Sequence, residues 1–185
     1  TTANKGLYGT LPLDEIPRSK LVKKSMERPD LIDAGFHKLV GKYNEDNSAI
    51  AMKESRRMLK EAIPSEDMMM YKAIIDIDGN NWSSRFHSLL CTNSIVIKIS
   101  PDFIEQYYQE LKPNVHYVPA DIENLTQVVE YVMEEGNDIE MKGIVKKANE
   151  WCRENASKVS FARRARTALG VYRHSLERYD DGGRW

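Results

Sequence analysis

Three short runs of β-branched and aromatic residues, at 71–77, 94–99 and 115–118, alternate with helical stretches, and few folds accept that alternation. Tyr71-Lys72-Ala73-Ile74-Ile75-Asp76-Ile77 reads as a buried strand. Asp78-Gly79-Asn80-Asn81 is a turn signal. A helix is predicted over 82–91, with Phe86, Leu89 and Leu90 on one side. Ser94-Ile95-Val96-Ile97-Lys98-Ile99 is a second strand, and 103–111 supplies one or two aromatic turns. Val115-His116-Tyr117-Val118 is a third strand, closed by Pro119. An amphipathic helix over 124–135 turns Leu125, Val128, Val129, Val132 and Met133 inward, and helices follow over 139–155 and 157–179. Strand, helix, strand, short helix, strand, helix predicts an α/β fold: a Rossmann-like parallel sheet with covering helices. The first crossover should be right-handed. Ligands in such sheets bind outside the carboxyl ends of the strands, where the turn at 78–81 lies.

The chain before residue 71 is polar. A helix after residue 14 carries Leu21, Val22 and Met26 and stops before Pro29. A second short element is predicted over 31–36 and a loop over 44–47. A helix over 48–63, with Ile50, Met58, Leu59 and Ile63 apolar, ends at Pro64-Ser65-Glu66. Met68, Met69 and Met70 are expected to fill core gaps. At 185 residues one domain is expected over 1–185. It divides into a helical lead-in over 1–70, the Rossmann-like core over 71–135 and C-terminal helices over 136–185. Lys plus Arg number 27 and Asp plus Glu 28, a balance that argues against holding a polyanion by bulk charge and so against a nucleic-acid partner. Arg163, Arg164 and Arg166 then read as one solvated helix face. No stretch approaches the roughly 18 apolar residues that a membrane span needs. The chain opens on Thr1-Thr2-Ala3-Asn4 without a leader-like segment, as an excised piece of a longer protein would. Its two cysteines, Cys91 and Cys152, allow one disulfide or two buried thiols.

The chemistry concentrates at Asp78-Gly79-Asn80-Asn81-Trp82-Ser83-Ser84-Arg85, where a strand feeds a glycine turn that opens a helix. The first N–H groups of a helix lack internal acceptors and sit at the positive end of its dipole. Small polar residues there can satisfy those groups or step aside for a phosphate. Arg85, one turn on, adds a forked cation. These parts suit a diphosphate. The plainer alternative is that Asn81 or Ser83 caps the helix and Arg85 is a surface charge. Neither the Walker lysine nor G-x-G-x-x-G is present. Asp76 and Asp78 share one strand face and could hold Mg²⁺ or Mn²⁺. An EF-hand loop fails, because Asn81 stands where Gly belongs and His87 where Glu belongs. One acidic residue at a strand end and one in a turn is the favoured reading. His37, His87, His116 and His174 have no partners at ligand spacing. His116 lies nearest the ligand-facing edge, and a structural role is favoured for it. Ser83 and Ser84 lack a nucleophile elbow. Sequons at Asn81, Asn124 and Asn155 permit a secretory setting, although a glycan on Asn81 would obstruct the site.

The run from Tyr71 through Asp78-Gly79-Asn80-Asn81-Trp82-Ser83-Ser84-Arg85 to Phe86 is followed by Leu89-Leu90 and Ser94-Ile95-Val96. Leu111-Lys112-Pro113-Asn114-Val115-His116-Tyr117-Val118-Pro119 comes next. In that order and spacing these residues resemble glycosyltransferase family 90, the capsule-associated glycosyltransferases. Rumi-type protein O-glucosyltransferases and fungal capsule xylosyltransferases belong to it. Arg18-x-x-Leu21-Val22-x-x-Ser25 and Pro29-x-Leu31-Ile32-Asp33-Ala34-x-Phe36 are similar to the family as well. The resemblance covers about 6–177 and is densest over 71–119. It implies one lobe of a GT-B glycosyltransferase, the lobe that binds the donor. The implied reaction moves glucose or xylose from a UDP-sugar to a hydroxyl of a protein or glycan, inverting, without a metal and with no cofactor besides the donor. By the same resemblance the UDP diphosphate is held by Arg18 and by Asn80, Asn81, Trp82, Ser83, Ser84 and Arg85, with Thr10 a weaker match. The acceptor lobe and the catalytic base are implied to lie on a missing N-terminal lobe upstream of Thr1, so no residue here is assigned as the base. A location in the ER lumen or Golgi is implied by kinship alone. Asn114 stands where the family often has Trp, and Leu7-Tyr8-Gly9 lacks the family's arginine. The alternatives are a non-catalytic nucleotide-sugar-binding module or remnant lobe, and a metal-dependent transferase using Asp76 and Asp78.

Overall fold

A computed structural model describes residues 13–38, 56–79 and 81–180. Thr10, Asn80, the loop at 44–47 and the first half of the helix predicted over 48–63 lie outside the described residues. Helix α1 (Pro17–Glu27) follows a 3-10 turn at Leu13–Glu15. Its Pro17 occupies a first-turn position where a missing N–H costs nothing. A one-turn helix α2 (Ser65–Met68) leads into β1 (Ala73–Asp76), α3 (Phe86–Leu89) and β2 (Ile95–Ile99). A 3-10 turn at Gln106–Glu110 precedes β3 (Val118–Ala120). Three helices close the described chain: α4 (Leu125–Met133), α5 (Asp138–Asn155) and α6 (Lys158–Asp180). None of them is long and apolar enough to cross a membrane.

The strands form one parallel sheet in the order β1-β2-β3. Successive side chains point to opposite faces, and the two faces bury two separate cores. Ile95, Ile97 and Ile99 pack with Val118, with Leu125, Val129 and Val132 of α4 and with Leu21 of α1. On the other face Ile74 and Val96 meet Phe86, Leu89 and Leu90 around α3 together with Tyr107 and Leu111. Both strand connections thus cover the same face, so they share one hand. Helix α5 serves both cores, with Met141 and Ile144 in the first and Ala148 and Trp151 in the second. It is tied to residues that precede the strands: Lys72 Nζ donates to Asp138 Oδ1 at 2.7 Å, and Asn149 Nδ2 donates to Asn93 Oδ1 at 3.2 Å. That helix therefore crosses the amino ends of the strands and leaves the carboxyl ends to other residues.

Several boundaries differ from the sequence expectation. The helix predicted over 82–91 is only the four residues of α3, because 81–85 fold as turns around buried Ser83. β3 lies over Val118–Ala120 instead of 115–118, and Pro119 is inside it. Among the described residues β3 pairs on one side only, where a proline is tolerated. The residues before it turn through Asn114, whose φ of 58° is left-handed, a conformation that Asn accepts more readily than most residues. His116 belongs to this turn and not to a strand. Its Nδ1 accepts the Lys112 N–H at 2.9 Å, and partial burial holds its pKa below the usual histidine value. The element expected over 31–36 is a loop shaped by buried Ser25, whose Oγ donates to the Ile32 carbonyl at 2.7 Å and accepts the Ala34 N–H at 2.9 Å. Residues 59–63 are not helical: Leu59 instead forms a parallel bridge with Phe36.

Met68 packs against the second core, but Met69 and Met70 are exposed, as is Met133. Arg164 is not a solvated charge. Its Nη2 and Nε donate to Glu110 at 2.6 and 2.9 Å, its Nη1 donates to the Asn155 carbonyl at 2.9 Å, and it lies over the Trp151 ring. Of the two cysteine alternatives the disulfide is present: Cys91, just after α3, is bonded to Cys152 of α5.

Candidate functional site

The carboxyl end of β1 is where charge collects. Arg18, the second residue of α1, reaches it from the helix start. Its Nε donates to the Asp78 carbonyl at 2.9 Å and its Nη2 to the Ile77 carbonyl at 3.4 Å. A Cβ on Gly79 would stand 2.9 Å from Arg18 Nη2, so the guanidinium sits against the bare glycine and would have to shift for any side chain there. Arg85 approaches from the other side of the turn. It is 48% exposed, and its Nη2 lies 3.6 Å from Asp76 Oδ1. Burial, followed by the charge of Arg85, lowers the Arg18 pKa to about 10, with Asp76 and Asp78 opposing the shift. Arg18 remains a cation at neutral pH, held close to a second cation.

Beneath the arginines lies a buried ionic cluster that the sequence reading did not single out. Lys98 of β2 is 2% exposed, and its Nζ donates to Asp76 Oδ2 at 2.9 Å and to Asp78 Oδ1 at 2.7 Å. Parallel pairing sets Lys98 opposite Asp76. The available signal was a lysine inside an otherwise apolar strand, since such a residue is buried only when paired. Ser83 completes the cluster: its Oγ donates to Asp76 Oδ1 at 2.6 Å and its N–H to Asp78 Oδ1 at 3.2 Å. Asp78 Oδ2 also accepts the Phe103 N–H at 3.4 Å.

The candidate residues therefore differ in what they offer a ligand. Arg18 and Arg85 are brought together. Ser83 is buried, with both its donors committed to the aspartates, so it builds the turn. Asn81 accepts the Gly79 N–H on its carbonyl at 2.9 Å and is exposed, as are Trp82 and Ser84. Because α3 begins only at Phe86 and runs four residues, little helix dipole reaches the turn. Positive charge at this edge comes from guanidinium groups. Asp76 and Asp78 are not a free pair of metal ligands, because an ammonium sits between their carboxylates.

The structure is that of an α/β domain with a three-stranded parallel sheet, with a glycine turn and two arginines at the carboxyl end of its first strand. The chain belongs to glycosyl transferase family 90, whose family description matches residues 9–160. It is 26% identical to protein O-glucosyltransferase 1 of Homo sapiens over 141 residues, 75% of this chain and 34% of that protein. It is 31% identical to protein O-glucosyltransferase 3 of Rattus norvegicus over 133 residues, 70% of this chain and 24% of that protein. Identity to the O-glucosyltransferase rumi homolog of Aedes aegypti is 31% over 123 residues, 63% of this chain and 29% of that protein. The chain thus spans a quarter to a third of the length of these relatives.

Proposed function

We propose that this chain is the donor-binding lobe of a GT-B glycosyltransferase that uses a UDP-sugar. What supports the proposal is the convergence of two cations at the carboxyl end of β1, Arg18 against Gly79 and Arg85 beside Asp76. Two forked cations, one half-buried and one half-exposed, suit the two phosphates of a UDP-sugar. Asn81, Trp82 and Ser84, all exposed, form the rim beside them, while Asn80 and Thr10 extend the proposed site beyond the described residues. In the proposed reaction an acceptor hydroxyl attacks the anomeric carbon from the face opposite UDP, so the configuration inverts. The anomeric carbon–oxygen bond breaks and its electron pair leaves with the diphosphate. The hydroxyl proton passes to an acidic base that we place on a second, acceptor-binding lobe. The arginines stabilise the departing charge, so the reaction needs no metal at this edge. Similarity to protein O-glucosyltransferases favours glucose over xylose as the sugar and a protein hydroxyl over a glycan as the acceptor.

The Cys91–Cys152 disulfide and the exposed sequon residue Asn124 support a place in the oxidising secretory pathway, ER lumen or Golgi. The second reading, a nucleotide-sugar-binding module or remnant lobe without catalysis, is favoured by the commitment of both acidic residues of the site, Asp76 and Asp78, to Lys98, which leaves neither to act as a base. One experiment separates the readings. Titration calorimetry of the purified chain with UDP is expected to show binding that EDTA leaves unchanged. No binding would remove the donor site, and binding abolished by EDTA would restore Asp76 and Asp78 as metal ligands. The same preparation is expected to transfer no sugar to a serine-containing acceptor peptide until a second lobe is supplied.

Gly79→Ala tests the geometry more finely. The added methyl meets Arg18 Nη2 at 2.9 Å and must push the guanidinium off the turn. Loss of one charge-assisted hydrogen bond corresponds to about a tenfold weaker UDP complex. An unchanged dissociation constant would detach Arg18 from the ligand.

A further inference from the structure

We infer that Lys98 is a positioning residue, which keeps the two arginines free for an anion by occupying the carboxylates that would otherwise capture them. The inference rests on the donor-binding reading above. A lysine with 2% exposure in the middle of an apolar strand is a costly choice, because an ammonium loses its hydration there. Its surroundings are otherwise hydrophobic: its Nζ lies 5.1 Å from the Phe86 ring centroid and 6.0 Å from that of Tyr108. An unbranched apolar side chain would fill the same space without that cost. The charge pattern supplies a reason for the ammonium. Asp76 and Asp78 are both buried, 0% and 5% exposed, and Arg18 and Arg85 are the cations at their outer side. Without Lys98, two carboxylates face two guanidinium groups, and the edge is neutral. With Lys98 the edge carries one positive charge in excess, directed outward.

The hydrogen bonds show how the separation is kept. Lys98 takes Asp76 Oδ2 and Asp78 Oδ1, while the Ser83 hydroxyl takes Asp76 Oδ1. Phe103 N–H takes Asp78 Oδ2. Each carboxylate oxygen therefore has a donor before any arginine arrives. Arg18 accordingly bonds main-chain carbonyls of Ile77 and Asp78, not a carboxylate. Arg85 stops 3.6 Å from Asp76, beyond ordinary charge-assisted hydrogen-bond distance. Remove the ammonium, and Asp76 Oδ2 becomes a buried, unpaired oxygen on the carboxylate whose Oδ1 already lies 3.6 Å from Arg85. Arg85 then closes on Asp76 and is lost to the pyrophosphate.

The test is the UDP affinity of the wild-type chain and of the K98M, D76N/K98M and D76N variants, measured by titration calorimetry once a thermal melt shows each to be folded. K98M is expected to bind UDP at least about thirty-fold more weakly, the scale of breaking a buried charge pair. D76N/K98M, which deletes the carboxylate that captures Arg85, is expected to return to within about tenfold of wild type. A lysine that merely fills space predicts a double variant no better than K98M, and that result overturns the inference. So does K98M affinity within threefold of wild type. D76N retains the Lys98–Asp78 pair and keeps the question open to test even where K98M does not fold. It is expected to bind UDP at least as tightly as wild type, and weaker binding overturns the inference. Failure of the wild-type chain itself to bind UDP would instead defeat the donor-binding reading.

Discussion

Arg85→Ala is expected to lower the turnover of the complete glycosyltransferase by 10² or more. In the proposed reaction negative charge grows on the diphosphate as the bond to the anomeric carbon breaks, and a charged donor placed there gains strength in the transition state. Arg85 is the side chain of the site best placed to follow that change. It is half-exposed, and its contact with Asp76 is a long 3.6 Å, so turning toward a phosphate breaks no tight pair. Removal of one preorganised charged donor costs about 2.7–4 kcal/mol at the barrier, and each 1.36 kcal/mol is about a factor of ten in rate. The loss should fall mainly on kcat and less on KM, because the interaction strengthens only as charge develops. Arg85→Lys should recover only part of the rate, since a point charge lacks the fork that grips two oxygens. Steady-state kinetics with UDP-glucose and a protein acceptor would measure both variants, and near-normal turnover of Arg85→Ala would remove this residue from the site.

The second large effect concerns stability. Replacing both Cys91 and Cys152 by Ser is expected to cost about 4 kcal/mol, the chain-entropy value for a crosslink spanning a sequence separation of 61. The bridge joins the end of α3, which covers one sheet face, to α5 at the amino ends of the strands. Its loss frees the unfolded chain, so the denaturant midpoint should fall while the slope, which follows the surface exposed on unfolding, stays the same or steepens. The UDP dissociation constant of the folded variant should stay within a few-fold of wild type, because the arginines sit at the opposite ends of the strands. A stability loss below about 1 kcal/mol would show that the crosslink does little to restrict the unfolded ensemble.

Much of this architecture was readable from local pattern. The β-branched runs around Ile74–Ile75 and Ile95–Ile97 became neighbouring strands, and the 3.6-residue pattern of Leu125, Val129 and Val132 became a helix face. Misreadings arose where a local signal competed with a tertiary one. Trp82 to Arg85 read as helix, yet the buried side chains of Asp76 and Asp78 claim Ser83 and hold those residues in turns. Pro119 read as a strand terminator, yet an edge strand admits it. Arg164 read as surface charge, because nothing nearby in sequence announces Glu110.

What the chain determines by itself is the order and kind of its elements, and the placing of a glycine turn at the end of the first strand. Those follow from periodicity and backbone preference, which act over a few residues. Only the folded molecule decides which charges meet. Arg18 finds the carbonyl of a residue 60 positions away, Lys98 meets carboxylates 22 and 20 positions away, and Cys91 meets Cys152. Strand register and burial set those distances, and burial makes the pairing of the ammonium with its two carboxylates obligatory instead of incidental.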